Sequence, residues 1–212
     1  MDQVNVQDFD YTAGYGGFRY GIVLCAIRTE YWIFVPLRTL ACNDAHAAFR
    51  QFRIVHKLKS KEVVVYCDAH QSLRQICYLD SAPVEHPPPG RSEANTIVER
   101  KIGLMLACQR SSSVHAGFPT CLWPFAAHSS VVNYQLSHKG SDNKTSYFRV
   151  FGKEPVRKEI FITGELVFFR PSPTIVSCTL AKSAGRLIPG IFLDYYTPHG
   201  GQLSGQYIVC PS

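Results

Sequence analysis

Three carboxylates carried by regular elements bear the chemistry open to this sequence. They are one of Asp8 and Asp10 near the amino terminus, Asp68 after the apolar run Val63-Val64-Val65-Tyr66-Cys67, and Glu99 within Asn95-Thr96-Ile97-Val98-Glu99-Arg100-Lys101. On a strand, Asp8 and Asp10 point to the same face. A parallel sheet gathers its functional groups at the carboxyl ends of its strands, and a helix laid across that edge can bring Glu99 to Asp68. Carboxylates forced together repel, and a bound divalent cation relieves the repulsion. Hard oxygen ligands suit Mg²⁺ or Mn²⁺, and no His/Cys cluster has zinc spacing. Two ions held in this way can activate a water or a 3′-hydroxyl and steady the leaving oxygen of a phosphodiester.

Each carboxylate alone has a plainer reading. Asp68 also suits the N-cap of a following helix, and Glu is a good helix former anywhere. The set is more specific than its members: strand Asp, strand-end Asp and helix Glu, in that order along the chain. His70 follows Asp68, but a metal site needs no histidine base. Cys67 alternates to the buried side of its strand, and His115 and His128 are too far apart in sequence to read as a ligand pair.

The elements that must position these groups follow from periodicity. Phe18 to Ala26 and Tyr31 to Leu37 read as two strands joined by a hairpin at Arg28-Thr29-Glu30. Asp44 to His56 has helical spacing, with Ala45, Ala48, Phe49 and Phe52 on one side and Asn43 as cap. Lys61 to Cys67 is the next strand and Gln71 to Tyr78 a short helix. Pro83 to Gly90 holds four prolines and reads as a loop without regular structure. A helix from about Ser92 to Arg110 buries Val98, Ile102, Met105 and Leu106, and another follows Pro119. The order β-β-β-α-β-α-loop-α-α predicts an α/β fold, a mixed sheet with helices on its faces. After His138-Lys139-Gly140-Ser141 the character changes. Phe148 to Phe151, Phe161 to Phe169, Thr174 to Thr179, Leu187 to Tyr196 and Gln206 to Cys210 read as short strands of a small β-rich module. The expected division is residues 1–140 and 141–212.

Composition sets the outer bounds. Hydrophobic residues make up 46% of the 212, which excludes a disordered chain. The net charge of +6 favours a polyanionic partner. The eight cysteines include no CxxC pair and read as reduced, mostly buried thiols in an intracellular compartment. No apolar run is long enough for a membrane span, and the amino terminus has no signal-peptide pattern.

With these residues in place, the chain resembles the integrase catalytic core of copia-like retrotransposons. Tyr66-Cys67-Asp68 stands for the second acidic motif, and Arg91-Ser92-Glu93-Ala94-Asn95-Thr96-Ile97-Val98-Glu99-Arg100-Lys101 for the third. Gly117-Phe118-Pro119, Trp123-Pro124 and Asn133-Tyr134 match the helices that follow. Phe151-Gly152-Lys153, Gly164 to Phe169 and Leu187 to Leu193 look like the β segment after the core.

The resemblance implies an RNase H-like mixed sheet flanked by helices, with the β-rich module behind it. It also implies Mg²⁺- or Mn²⁺-dependent 3′-end processing and DNA strand transfer, the work of a polynucleotidyl transferase and endonuclease. Asp68 and Glu99 carry over as second and third acidic residues. Asp8, followed by bulky Phe9, is the choice for the first, with Asp10 the runner-up. Arg91, Asn95, Arg100 and Lys101 flank the site and would contact DNA phosphates. The implied partners are DNA, as element ends and target, and further copies of the chain, in the nucleus. The sequence departs from the family at Ala69, Ser72 and Thr96. That supports an alternative, a catalytically decayed or repurposed integrase-like DNA-binding or assembly protein.

Overall fold

A computed structural model describes residues 2–5, 13–57, 64–66, 71–85, 93–155, 159–170, 187–198 and 200–211. Strands β1 (Asp2–Asn5), β2 (Tyr20–Cys25) and β3 (Trp32–Leu37) form an antiparallel sheet in the order β1-β2-β3. The register of β2 and β3 explains why both read as nearly continuous apolar runs. Ile22 pairs with Val35 and Leu24 with Ile33, while Val23 pairs with Phe34 and Cys25 with Trp32. Ile22, Leu24, Ile33 and Val35 belong to one core, and Val23, Cys25, Trp32 and Phe34 to another. Successive residues face opposite sides of a sheet, so both faces of this hairpin are buried.

Helices α1 (Cys42–His56) and α2 (Gln71–Leu79) cover the first face. Ala45, Ala48, Phe49, Phe52 and Val55 of α1 pack with Leu73, Ile76 and Cys77 of α2. The expected cap Asn43 lies inside α1; Ala41 is the N-cap and offers no side-chain bond. Thr39 helps there, since its hydroxyl accepts from the Ala41 N–H at 3.2 Å. Strand β4 (Val65–Tyr66) pairs in parallel with β5 (Val84–Glu85), and Val65 joins the same core.

The β5 strand corrects the expectation that Pro83 to Gly90 is loop throughout. Proline lacks a donor but keeps its carbonyl, and the Pro83 carbonyl accepts the Val65 N–H at 2.9 Å. The expected single mixed sheet is, among the described residues, two ladders, β1-β2-β3 and β4-β5.

Helix α3 (Glu93–Ala116) and helix α4 (Trp123–Ser137) cover the second face, α4 after a 3-10 turn at Thr120–Leu122. Val98 and Met105 of α3 are buried there with Trp123, Ala127 and Val131 of α4, and Ile102 and Leu106 pack against them. The anticipated stripe is therefore the one buried. Helix α3 runs past its expected end at Arg110, because the serines that follow cost a helix little. It stops at Gly117, which has φ 62°, a left-handed conformation open to glycine.

The carboxyl-terminal segment contains α5 (Ser146–Phe151) and the antiparallel sheet β6 (Leu166–Phe169), β7 (Ile188–Tyr195) and β8 (Tyr207–Pro211), in that order. Phe148 to Phe151 was expected as strand and is helix. The Thr145 hydroxyl accepts the Phe148 N–H at 3.1 Å at one end, and Gly152 with φ 68° closes the other. A local cap and stop outweigh the β preference of the aromatic residues between them. The expected strand at Thr174 to Thr179 lies outside the described residues. Val132 of α4 shares a core with Tyr147, Phe192, Tyr195 and Leu203. Helix α4 is thus buried on two sides, one toward the β1-β2-β3 sheet and one toward the β6-β7-β8 sheet. Among the six described cysteines only Cys77 is buried, while Cys108 and Cys210 are exposed; the expectation of mostly buried thiols is corrected accordingly.

Candidate functional site

Glu99 lies on the second turn of α3 and its side chain is exposed. Val98, immediately before it, is 6% exposed and sits in the core beneath. Because neighbouring helical residues diverge by about 100°, anchoring Val98 inward turns Glu99 and Arg100 outward. Both are exposed. Helix α3 also contacts β1 and β2, and β1 precedes Asp8 in the chain.

Lys101 does something different. Its ammonium stands 4.1 Å from the centre of the Tyr134 ring and 5.7 Å from that of Trp32, and it donates to the Tyr134 hydroxyl at 3.0 Å. A cation over aromatic faces is held electrostatically, and here it fastens α3 to α4. Cys25 lies close to that charge; burial pushes its thiol up, with the Lys101 charge acting in the opposite direction.

Asp8, Asp10, Asp68 and Arg91 lie outside the described residues. Asn95 falls within α3. Strand β4 ends at Tyr66, two positions before Asp68 in the chain. Among the described residues no three His, Cys, Asp or Glu side chains gather into a metal-binding group. Of the expected ligands only Glu99 is described; its carboxylate faces solvent, and a hard oxygen donor of this type suits Mg²⁺ or Mn²⁺. Among the described residues no helix is long and apolar enough to cross a membrane.

Sequence reasoning passed over a polar cluster between α4 and β7. His128 Nδ1 lies 2.8 Å from each carboxylate oxygen of Asp194, and its Nε2 lies 3.4 Å from the Thr197 hydroxyl. Asp194 Oδ1 also accepts the Tyr195 N–H at 2.8 Å. The Tyr195 hydroxyl donates to Asn133 Oδ1 at 2.7 Å and accepts the Phe161 N–H at 2.8 Å. Ser129 and Thr163 share a short hydroxyl contact beside them. Burial alone would push the His128 imidazole down, but the charge and hydrogen bond of Asp194 outweigh it and hold the ring above its ordinary value. Asp194 is 5% exposed. A buried carboxylate is expected to be paired, and this pair joins α4 to β7. Spacing along α4 gives no sign of it, since the partner is far away in sequence.

No family model matches the sequence, and no curated protein matches it. Solved structures that align with the chain include the HTLV-2 integrase catalytic core domain in complex with magnesium. Its trimeric form aligns at 12% identity and a TM-score of 0.47, covering 65% of this chain and 88% of that one. Its dimeric form aligns at 13% identity and a TM-score of 0.45, covering 62% and 83%. The catalytic core domain of BIV integrase aligns at 10% identity and a TM-score of 0.47, covering 71% and 92%.

Proposed function

We propose that the chain is an integrase-like core that cuts and joins DNA with Mg²⁺ or Mn²⁺, the copia-like kind being the source the motifs favour. The observation that carries this reading is the outward Glu99 at the start of α3, in the chain order expected of such a core. Strand β1 precedes Asp8 in the chain, β4 precedes Asp68, and α3 follows with its acid facing solvent.

Asp8, Asp68 and Glu99 would hold the metal, which would polarise a phosphodiester for attack by water or a 3′-hydroxyl. The protein's own part is positioning. Val98 and Met105 fix the rotation of α3, Lys101 locks α3 to α4, and exposed Arg100 beside Glu99 is available to a DNA phosphate. Arg91 and Asn95 complete the expected contacts with element ends and target, and the working form is an assembly of several copies.

The test is divalent-metal-dependent cleavage and joining of a labelled DNA duplex by the full chain beside Asp68→Asn and Glu99→Gln. Activity in the parent that both variants lose supports the reading. Activity that survives in both contradicts it. Ala69, Ser72 and Thr96 favour a second reading, a core that keeps its fold and DNA binding without efficient chemistry. Inactivity of all three proteins with DNA binding intact would select that one.

A further inference from the structure

The outer face of α1 lies on the opposite side of the β1-β2-β3 sheet from α3 and takes no part in the site above. His46, Arg50 and Arg53 recur there at i, i+4 and i+7, a spacing that aligns side chains along one helical face, and Lys57 follows as the left-handed C-cap. The opposite face of α1 is the apolar one that meets the core.

Two open clefts flank the row. One, of about 500 Å³, lies between α1 and the end of α2 and is lined by all four basic residues with Leu79 and Asp80. The other, of about 570 Å³, lies between α1 and β3 and includes Arg38, Arg50, Asp44 and Ile54. Arg50 and Ile54 border both.

Asp80 organises the row. Its carboxylate binds Arg53 Nη1 and, at 3.0 Å, His46 Nε2. In the first cleft one carboxylate then stands against the permanent cations Arg50, Arg53 and Lys57. Arg50 and Lys57 are exposed, and neither has an ion-pair partner among the described residues.

We propose that this face of α1 is a nucleic-acid-binding surface that follows the phosphodiester backbone of one strand. It goes beyond the reading above and stands whether or not the acidic residues do chemistry. At a rise of 1.5 Å per residue His46 to Arg53 span about 10 Å, with Lys57 just beyond the last turn, so more than one phosphate of a strand can lie along the row. Guanidinium and ammonium groups gathered along one side suit the phosphates of a strand. A lipid surface is met by a broad apolar face that dips between headgroups, whereas here the cations line clefts on either side of a helical ridge. The net charge of +6 adds long-range attraction for a polyanion.

The experiment is fluorescence anisotropy of a labelled duplex DNA oligonucleotide with the full chain, in the absence of divalent metal and across a salt series. Arg50→Gln/Lys57→Gln is compared with the parent and with Lys153→Gln, an exposed lysine in the carboxyl-terminal segment. The expected result is a several-fold weaker affinity for the double variant and a log–log salt slope reduced by about 1.8, at ~0.9 for each phosphate no longer neutralised, with the Lys153→Gln control unchanged. Unchanged affinity and slope in the double variant would overturn the proposal, as would an equal loss in the control. A double variant that loses sedimentation with phosphatidylserine vesicles while keeping its oligonucleotide affinity would overturn it in favour of a membrane surface. Because the assay reads binding without divalent metal and compares only substitutions on α1 and at Lys153, its outcome does not depend on whether the chain cuts DNA, so failure of the carboxylate reading and failure of this one are told apart.

Discussion

His128 and Asp194 meet across 66 positions of sequence, with the imidazole Nδ1 2.8 Å from both carboxylate oxygens, and so bind α4 to β7. Around them Asn133 and Tyr195 close the same seam. Helix α4 is the element on which both halves of the structure are built, and this pair is its ionic link to the second. Removing one partner of a buried pair strands the other and costs about 3–5 kcal/mol. Asp194→Asn should lower stability by about 3 kcal/mol, the lower end of that range, because the imidazole can shed its proton.

The pH dependence of the pair has a definite sign. The folded pKa of His128 is raised above its unfolded value. Its contribution is therefore fully present below about pH 6.5 and is lost as pH climbs through the raised value. Melting temperature of the parent should decline over that upper window, and the decline should be absent in Asp194→Asn. Parallel profiles for the two proteins would refute the assignment.

His56 predicts the opposite slope. It lies between the rings of Phe52 and Tyr31, at 4.5 and 5.4 Å, and its Nε2 is buried without a hydrogen-bond partner among the described residues. Burial pushes its pKa down to about 4. The unfolded chain then binds a proton that the folded chain refuses, so stability falls as pH drops from about 6.5 toward 4. In His56→Phe the acid-side loss measured by thermal denaturation should be shallower than in the parent. An identical loss would mean that the ring is protonated in place.

Gly21 tests the hairpin. A Cβ there would come within 2.2 Å of the Phe34 ring, which is 1% exposed and cannot swing into solvent. Overpacking of this kind typically costs about 1–3 kcal/mol. Gly21→Ala should lose that much in denaturant unfolding, and Gly21→Ala/Phe34→Leu should recover part of it.

The hairpin of β2 and β3 was legible in the sequence because both its faces are buried, which leaves an unbroken apolar run. The stripe of Val98, Ile102, Met105 and Leu106 was legible because α3 buries one side only. Helix α5 was not, since Phe148 to Phe151 has strand-like composition and the deciding groups, Thr145 and Gly152, lie just outside it. The His128–Asp194 seam was hidden for a different reason. An α-helix buried on two sides shows no amphipathic period, and its polar residues find partners distant in sequence. Of the candidate site, Glu99 and Arg100 are exposed, while Lys101 turns onto Tyr134, a contact made between two helices that no spacing within α3 foretells.

The proposed DNA cutting and joining requires that Asp68 and Glu99 bind the same ion. Mn²⁺ titration followed by electron paramagnetic resonance measures this directly, on the parent, Asp68→Asn, Glu99→Gln and the double variant. The expected outcome is Mn²⁺ binding by the parent, markedly weaker binding in each single variant, and little further loss in the double, as for two ligands of one site. Binding that is unchanged in both single variants would contradict a shared ion.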